Sequence, residues 1–152
     1  MNISYNWLKE YIDIDLGPAV LAEKLTHAGL EAVIVETLPE YFKSIVVGHV
    51  VSKAKHPDAD KLSVCMIDLG DGEPKQIICG APNIDTGQNV PVATIGTTFP
   101  DGMKIKKAKL RGVVSNGMVC SERELDLSQD HSGIMVLDED AELGMDMVSY
   151  LS

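Results

Sequence analysis

The sequence predicts a mostly β fold, a five-stranded barrel with a small α+β segment at its N-terminal end. Three observations lead there. From Ser44 onward the chain breaks into short β-forming runs at 45–54, 61–70, 75–80, 89–96 and, more loosely, 104–121. Turn residues separate the runs, and Gly70-Asp71-Gly72 is a hairpin signal. Helical patterns between them are few, which disfavours a parallel sheet with crossover helices.

The first forty residues have a helical period instead. Trp7, Leu8, Tyr11 and Ile12 share one face, and Ser4 suits the N-cap. A second helix starts near Pro18, puts Leu21, Leu25 and Ala28 on one side and stops at Gly29. Leu30-Glu31-Ala32-Val33-Ile34-Val35 then reads as a strand. Two short helices and one strand bury little, so this segment needs packing partners. Pro39 marks the joint to the β region, and residues 133–137 (GIMVL) are a candidate last strand. Five short strands closed on themselves point to an OB-type barrel.

At 152 residues and 45% hydrophobic content, the chain fits one ordinary domain, or one domain plus an appendage. No apolar run approaches the roughly 20 residues that span a bilayer, and the N-terminus has no basic segment followed by an apolar one. A cytoplasmic location is expected. The three cysteines, Cys65, Cys79 and Cys120, are too scattered for a disulfide framework or a CxxC pair and suit small core positions.

Net charge is −10, which by itself argues against a nucleic-acid partner. The distribution says otherwise. Residues 1–40 carry two basic and seven acidic side chains, residues 41–121 ten and seven, and residues 122–152 one and nine. The middle is therefore +3 between ends of −5 and −8. Five of its basic residues, Lys104, Lys106, Lys107, Lys109 and Arg111, fall in the octet KIKKAKLR.

The stretch His56-Pro57-Asp58-Ala59-Asp60-Lys61-Leu62 holds a histidine and two aspartates within five residues. A metal site would use His56, Asp58 and Asp60, but Pro57 breaks the extended alternation that would align them, and a closed site needs ligands from elsewhere. A polar turn explains the stretch better, with the aspartates bonding local N–H groups and His56 contributing no more than an ordinary loop side chain. Catalytic signatures are missing: no GxSxG, no GxxxxGK phosphate loop, no GxGxxG after a strand, no HExxH. No catalytic residue and no metal ligand is assigned.

The octet admits two explanations, a strand with one solvated lysine face or a phosphate-binding surface. The adjoining loop favours the second. Leu110-Arg111-Gly112-Val113-Val114-Ser115-Asn116-Gly117-Met118 puts hydroxyl, amide and thioether groups beside the charge, where they can meet sugar or base edges while lysines meet phosphates. Stacking aromatics are scarce, since residues 41–121 contain only Tyr41, Phe42 and Phe99.

The series HPDADKLSVCMIDLG, QIICGAPNI and VPVATIGTTFPDGMKIKKAKLRGVVSNGMVCSERELDL closely resembles the tRNA-binding domain, an OB fold found in several aminoacyl-tRNA synthetases and free tRNA-binding proteins. MNISYNWLKEYIDID and AEKLTHAGLEAVIVE resemble the start of the bacterial phenylalanyl-tRNA synthetase (phenylalanine–tRNA ligase) beta subunit. The resemblance covers essentially the whole chain. It implies domains at 1–39 (one part of a split domain), 40–148 (the tRNA-binding OB fold) and 149–152 (the start of the return segment). It also implies an auxiliary tRNA-binding function in protein biosynthesis.

In that family the beta subunit joins an alpha subunit in an (αβ)2 ATP-dependent ligase whose phenylalanine and ATP chemistry lies in the alpha subunit. The resemblance thus implies a non-catalytic part of an enzyme, with no cofactor of its own, ATP and Mg being expected for the parent. The implied partners are tRNA, the alpha subunit and the remaining beta-subunit domains, with no membrane. The candidate tRNA contacts are Lys53, Lys55 and Lys61 around the first turn, Lys104, Lys106, Lys107, Lys109 and Arg111 for phosphates, and Ser115, Asn116, Met118, Ser121 and Glu122 for closer contacts. The loop set follows the family motif, and the lysines follow from charge. The alternative function is a protein–protein docking module of the same synthetase with little RNA contact, which the acidic ends would suit.

Overall fold

The computed structural model describes residue 3 and residues 5–34 and 38–151. The expected cap Ser4, the Trp7 side chain and Val35 lie outside the described residues. The chain divides into two compact units, one within Met1–Leu38 and the other Pro39–Leu151.

The first unit holds α1 (Tyr5–Tyr11) and α2 (Pro18–His27). Pro18 opens α2, where its missing N–H costs nothing because first-turn donors have no helical partner. Gly29 closes it at φ 96, donating to the Thr26 carbonyl (3.1 Å), while Leu30 N–H reaches the Leu25 carbonyl (2.9 Å). That pair of bonds caps the last turn in the left-handed conformation glycine adopts freely. The strand expected at 30–35 is not formed over residues 30–34. A strand needs a ladder partner and none runs beside it among the described residues; Ala32 N–H bonds Thr26 Oγ1 at 3.1 Å instead.

The second unit begins with a 3-10 turn (Glu40–Ser44) and contains β1 (Ile45–Lys55), β2 (Ser63–Asp68), β3 (Lys75–Cys79), β4 (Asn89–Ala93), β5 (Ala108–Leu110), β6 (Val113–Ser115), β7 (Met118–Val119) and α3 (Met147–Leu151). Five strands form one antiparallel sheet in the order β3-β2-β1-β4-β7, and β5 pairs with β6. β1 serves two partners: Ile45 to His49 face β4, and His49 to Lys55 face β2. An irregularity between Val50 and Ser52 bends the strand so that it can do both. The barrel closes between β3 and the segment 114–116. Asn116 N–H donates to the Gln76 carbonyl (2.8 Å), Gln76 Nε2 to the Val114 carbonyl (2.7 Å), and Ile78 N–H to Ser115 Oγ (3.0 Å). This is the five-stranded OB-type barrel expected from the sequence. The loosely drawn fifth run resolves into β5, β6 and β7, with 104–107 outside the paired strands apart from one bridge between Thr98 and Lys104.

Residues 133–137 do not form the expected last strand. Asn83 clamps this segment from the side, its Oδ1 accepting Ile134 N–H (2.9 Å) and its Nδ2 donating to the Ile134 carbonyl (2.9 Å). Ile134's backbone groups therefore go to a side chain, while Met135 N–H donates to the Cys120 carbonyl (3.0 Å) and Leu137 forms an isolated bridge with Asn89. Gly133 is required there because a Cβ would collide with the Asn83 amide.

The barrel interior is apolar: Val50, Cys65, Ile67, Ile77, Ile84, Val90 and Val92 are fully or almost fully buried and pack together with Cys79, Val119 and Ile134. All three cysteines are buried and free, which accounts for them as core residues. At Gly48 the strands approach so closely that a Cβ would stand 2.6 Å from Ile67 Cγ2 and 2.9 Å from Val92 Cγ2.

Candidate nucleic-acid interface

The interface is built where β1 outruns the core. Its first residues are mostly buried, but 51–55 are all exposed, so Lys53 and Lys55 stand on a strand end with no core to cover. The chain then turns: His56 N–H donates to the Leu62 carbonyl (3.0 Å) and Leu62 N–H to the Ala59 carbonyl (3.1 Å), which reverses direction into β2. The reading of residues 56–62 as a turn holds, but not the expected role of its aspartates: the side chain that accepts a local N–H is His56, from Asp58, while Asp60 pairs with Lys55. Among the described residues no group of three His, Cys, Asp or Glu side chains is placed to hold a metal ion.

The expectation that His56 is an ordinary loop residue does not hold. It is only 2% exposed, with Nδ1 accepting Asp58 N–H (3.0 Å) and Nε2 2.9 Å from the Leu110 carbonyl. Its truncation to alanine removes two buried hydrogen bonds and leaves a void, at a cost of about 2–4 kcal/mol rather than about 1.

Lys53, Lys55, Asp60 and Lys61 line an open groove of about 530 Å³, whose other wall is Gly80, Ala81 and Pro82. Lys53 Nζ donates to the Ile84 carbonyl at 2.8 Å, which fixes its head. Lys55 pairs with Asp60 at 3.3 Å, both side chains being largely exposed, so the pair is weak and exchangeable for a phosphate.

The octet lies on the hairpin side. Ile105 is buried while Lys104, Lys106, Lys107, Lys109 and Arg111 are exposed, an edge with its charges in water. β5 and β6 are joined by a two-residue turn with Arg111 at φ 48 and Gly112 at φ 86, the left-handed pair that matches strand twist. Arg111 Nη1 reaches the Asp58 carbonyl at 3.5 Å, so the hairpin tip sits against the 56–62 turn.

The loop residues divide. Ser115 is 4% exposed, its hydroxyl accepting from Ile78 N–H and donating to the Gly117 carbonyl. Ser121 is 7% exposed, and the Glu124 carboxylate accepts both its N–H (2.7 Å) and its hydroxyl. Both serines hold the loop in shape. Asn116 is half-buried with its amide on the Gln76 carbonyl (3.3 Å), and Glu122 accepts from the Ser128 hydroxyl (2.6 Å). Met118 is half-buried on β7. The three aromatics of residues 41–121 are engaged with each other, the Tyr41 ring centroid lying 4.9 Å from that of Phe42 and 5.5 Å from that of Phe99.

Burial pushes the Cys65 thiol up to about 11, with Cys79 nearby adding to the rise, and pushes Cys120 up to about 12, helped by Glu124. The folded state keeps these protons longer than the unfolded chain does, so their contribution to stability is intact below about pH 9 and fades as pH rises toward 11–12. The thiols should ignore a disulfide reagent at pH 8 and all titrate in guanidinium. Rapid labelling of the folded protein would contradict this burial.

Residues 45–146 match the family model described as "Putative tRNA binding domain". The chain belongs to the tRNA-binding domain family. It is 54% identical over 151 residues to the Phenylalanine–tRNA ligase beta subunit of Nitratidesulfovibrio vulgaris, covering 99% of this chain and 19% of that protein. Against the subunit of the same name from Bacillus subtilis it is 49% identical over 158 residues, covering 99% and 20%. The chain thus spans about a fifth of the length of these curated relatives. In fold, the tRNA-binding domain is similar to the MetRS related protein from Pyrococcus horikoshii, with a TM-score of 0.54 and 19% identity over 76% of this chain and 99% of that one.

Proposed function

We propose that this chain is the part of a phenylalanine–tRNA ligase beta subunit that carries an auxiliary tRNA-binding OB domain, acting in the cytoplasm in support of phenylalanine attachment. The observation that carries the reading is the family match across 45–146 together with two exposed basic elements, the first turn and the hairpin, set side by side. Phosphates are the ligand such a surface suits. Lysines on exposed backbone provide charge, while the buried aromatics and internally bonded serines leave little for base recognition. Binding is therefore weak and indifferent to sequence.

In the whole enzyme the alpha subunit and the other beta-subunit domains are the protein partners, and ATP with Mg serves chemistry located outside this chain. Residues 1–39 are one part of a split domain completed by a later segment of the longer protein. Supporting this, Tyr11, Ile12 and Val33 are 71%, 55% and 72% exposed, and residues 30–34 lack a neighbouring strand among the described residues. No helix of the described residues is long and apolar enough to cross a membrane.

Titrating the purified chain with phenylalanine tRNA and an unrelated tRNA tests the reading. The expected result is equal affinity for both, no tighter than about micromolar near physiological salt. No binding to either at low salt would hand the function to the docking-module alternative.

A further inference from the structure

β5 is bonded by β6 along one edge, and its side chains, Ala108, Lys109 and Leu110, are all exposed. β6 is well anchored to β3 through Val114 and Ser115. The tip of the hairpin, Leu110 to Val113, projects beyond those anchors and carries Arg111, while Lys109 stands at its base opposite Val114. What holds the tip is chiefly His56, at 2.9 Å from the Leu110 carbonyl, beside the longer 3.5 Å contact of Arg111 with the Asp58 carbonyl. Because Nδ1 accepts Asp58 N–H, the ring proton of the neutral imidazole sits on Nε2 and is donated to the Leu110 carbonyl. Pro57 restricts the backbone between His56 and Asp58, the residue whose N–H sets the tautomer and whose carbonyl meets Arg111.

We infer that His56 is a positioning residue for phosphate recognition: it latches the hairpin tip beside the first-turn lysines, so that Lys109 and Arg111 meet the same stretch of nucleic-acid backbone as Lys55 and Lys61. The inference rests on the tRNA-binding reading. Its physical basis is preorganisation. Two basic patches on elements that move independently act as two weak sites, whereas a fixed spacing makes the second phosphate contact intramolecular and lowers the ordering cost of binding.

Two substitutions separate the latch from simple core packing. The amide oxygen of His56→Asn stands near the place of Nδ1 and can keep the Asp58 bond, but the side chain is too short for Leu110. The amide nitrogen of His56→Gln stands near the place of Nε2 and can keep the Leu110 bond while losing the other. Both variants lose one buried bond, so both should melt at a similarly reduced temperature. In tRNA titrations, His56→Asn should flatten the slope of log K against log salt by about 1 to 2 and weaken binding about five- to tenfold, as expected for two lost phosphate contacts. His56→Gln should bind within about twofold of the parent with an unchanged slope. Identical slopes in parent, Asn and Gln would overturn the latch.

Amide exchange at residues 108–113 reads the same device without RNA. Faster exchange in His56→Asn than in His56→Gln supports it even where no chain binds tRNA, a result that would sink the tRNA reading alone; equal rates overturn it. For the unsubstituted protein, long-range nitrogen–proton spectra of the imidazole decide directly, with an Nε2-protonated ring supporting the latch and an Nδ1-protonated ring refuting it.

Discussion

Gly48→Ala lowers the stability of the barrel by about 1–3 kcal/mol and Ile67→Ala by about 2–5 kcal/mol, yet the double variant loses less than the sum by about 1 kcal/mol or more. The new Cβ at position 48 lands within 2.9 Å of three side chains, Ile67, Leu69 and Val92. Ile67 and Val92 are fully buried and cannot swing aside without disturbing their own neighbours. Removing the Ile67 side chain opens the space that the added methyl needs, so each change relieves the other. Chemical denaturation of the four proteins measures the coupling. Strict additivity would mean that the close approach of β1 to β2 and β4 at this point is not as described.

Local chemistry made much of this fold legible. Pro18 and Gly29 bound α2 because each has one strong backbone preference, and Gly70 and Gly72 turn β2 into β3 at φ 93 and 75 with Asp68 accepting both N–H groups. Failures came where a partner distant in sequence decides. Residues 30–34 have strand composition but no described neighbour to pair with, and residues 133–137 are diverted by Asn83, about fifty residues away.

The site was legible in the same measure. Exposure of the lysines follows from their chemistry and from the alternation around Ile105. The orientation of Ser115 does not, because its hydroxyl is committed to Ile78 across the barrel seam. His56 was missed for the like reason: its local bond to Asp58 is a short-range motif a sequence can suggest, but its bond to Leu110 spans 54 positions. A histidine followed by proline and then by a basic hairpin gives no sign of burial.

Replacing Lys106, Lys107 and Lys109 together by alanine produces the largest expected change in function. The chain carries −10 overall, so only local potential attracts phosphate, and the acidic ends oppose it at long range. All three positions are exposed, and removing them takes three of the five cations of the octet without touching the buried Ile105. Binding should weaken by at least tenfold at low salt, and equally for phenylalanine tRNA and an unrelated tRNA, since phosphate contacts carry no sequence information. Melting temperature should stay within a degree or two, because exposed charge substitutions rarely exceed about 0.5 kcal/mol.

The most direct measurement is the dependence of tRNA affinity on salt, taken side by side for the unsubstituted chain and this triple variant. With about three to five phosphates contacted, the unsubstituted chain should show log K falling against log salt with a slope of about −2 to −4, and the triple variant a clearly flatter line. Equal affinities and equal slopes would show that the octet is only a solvated edge and that the domain's role is to dock protein rather than RNA.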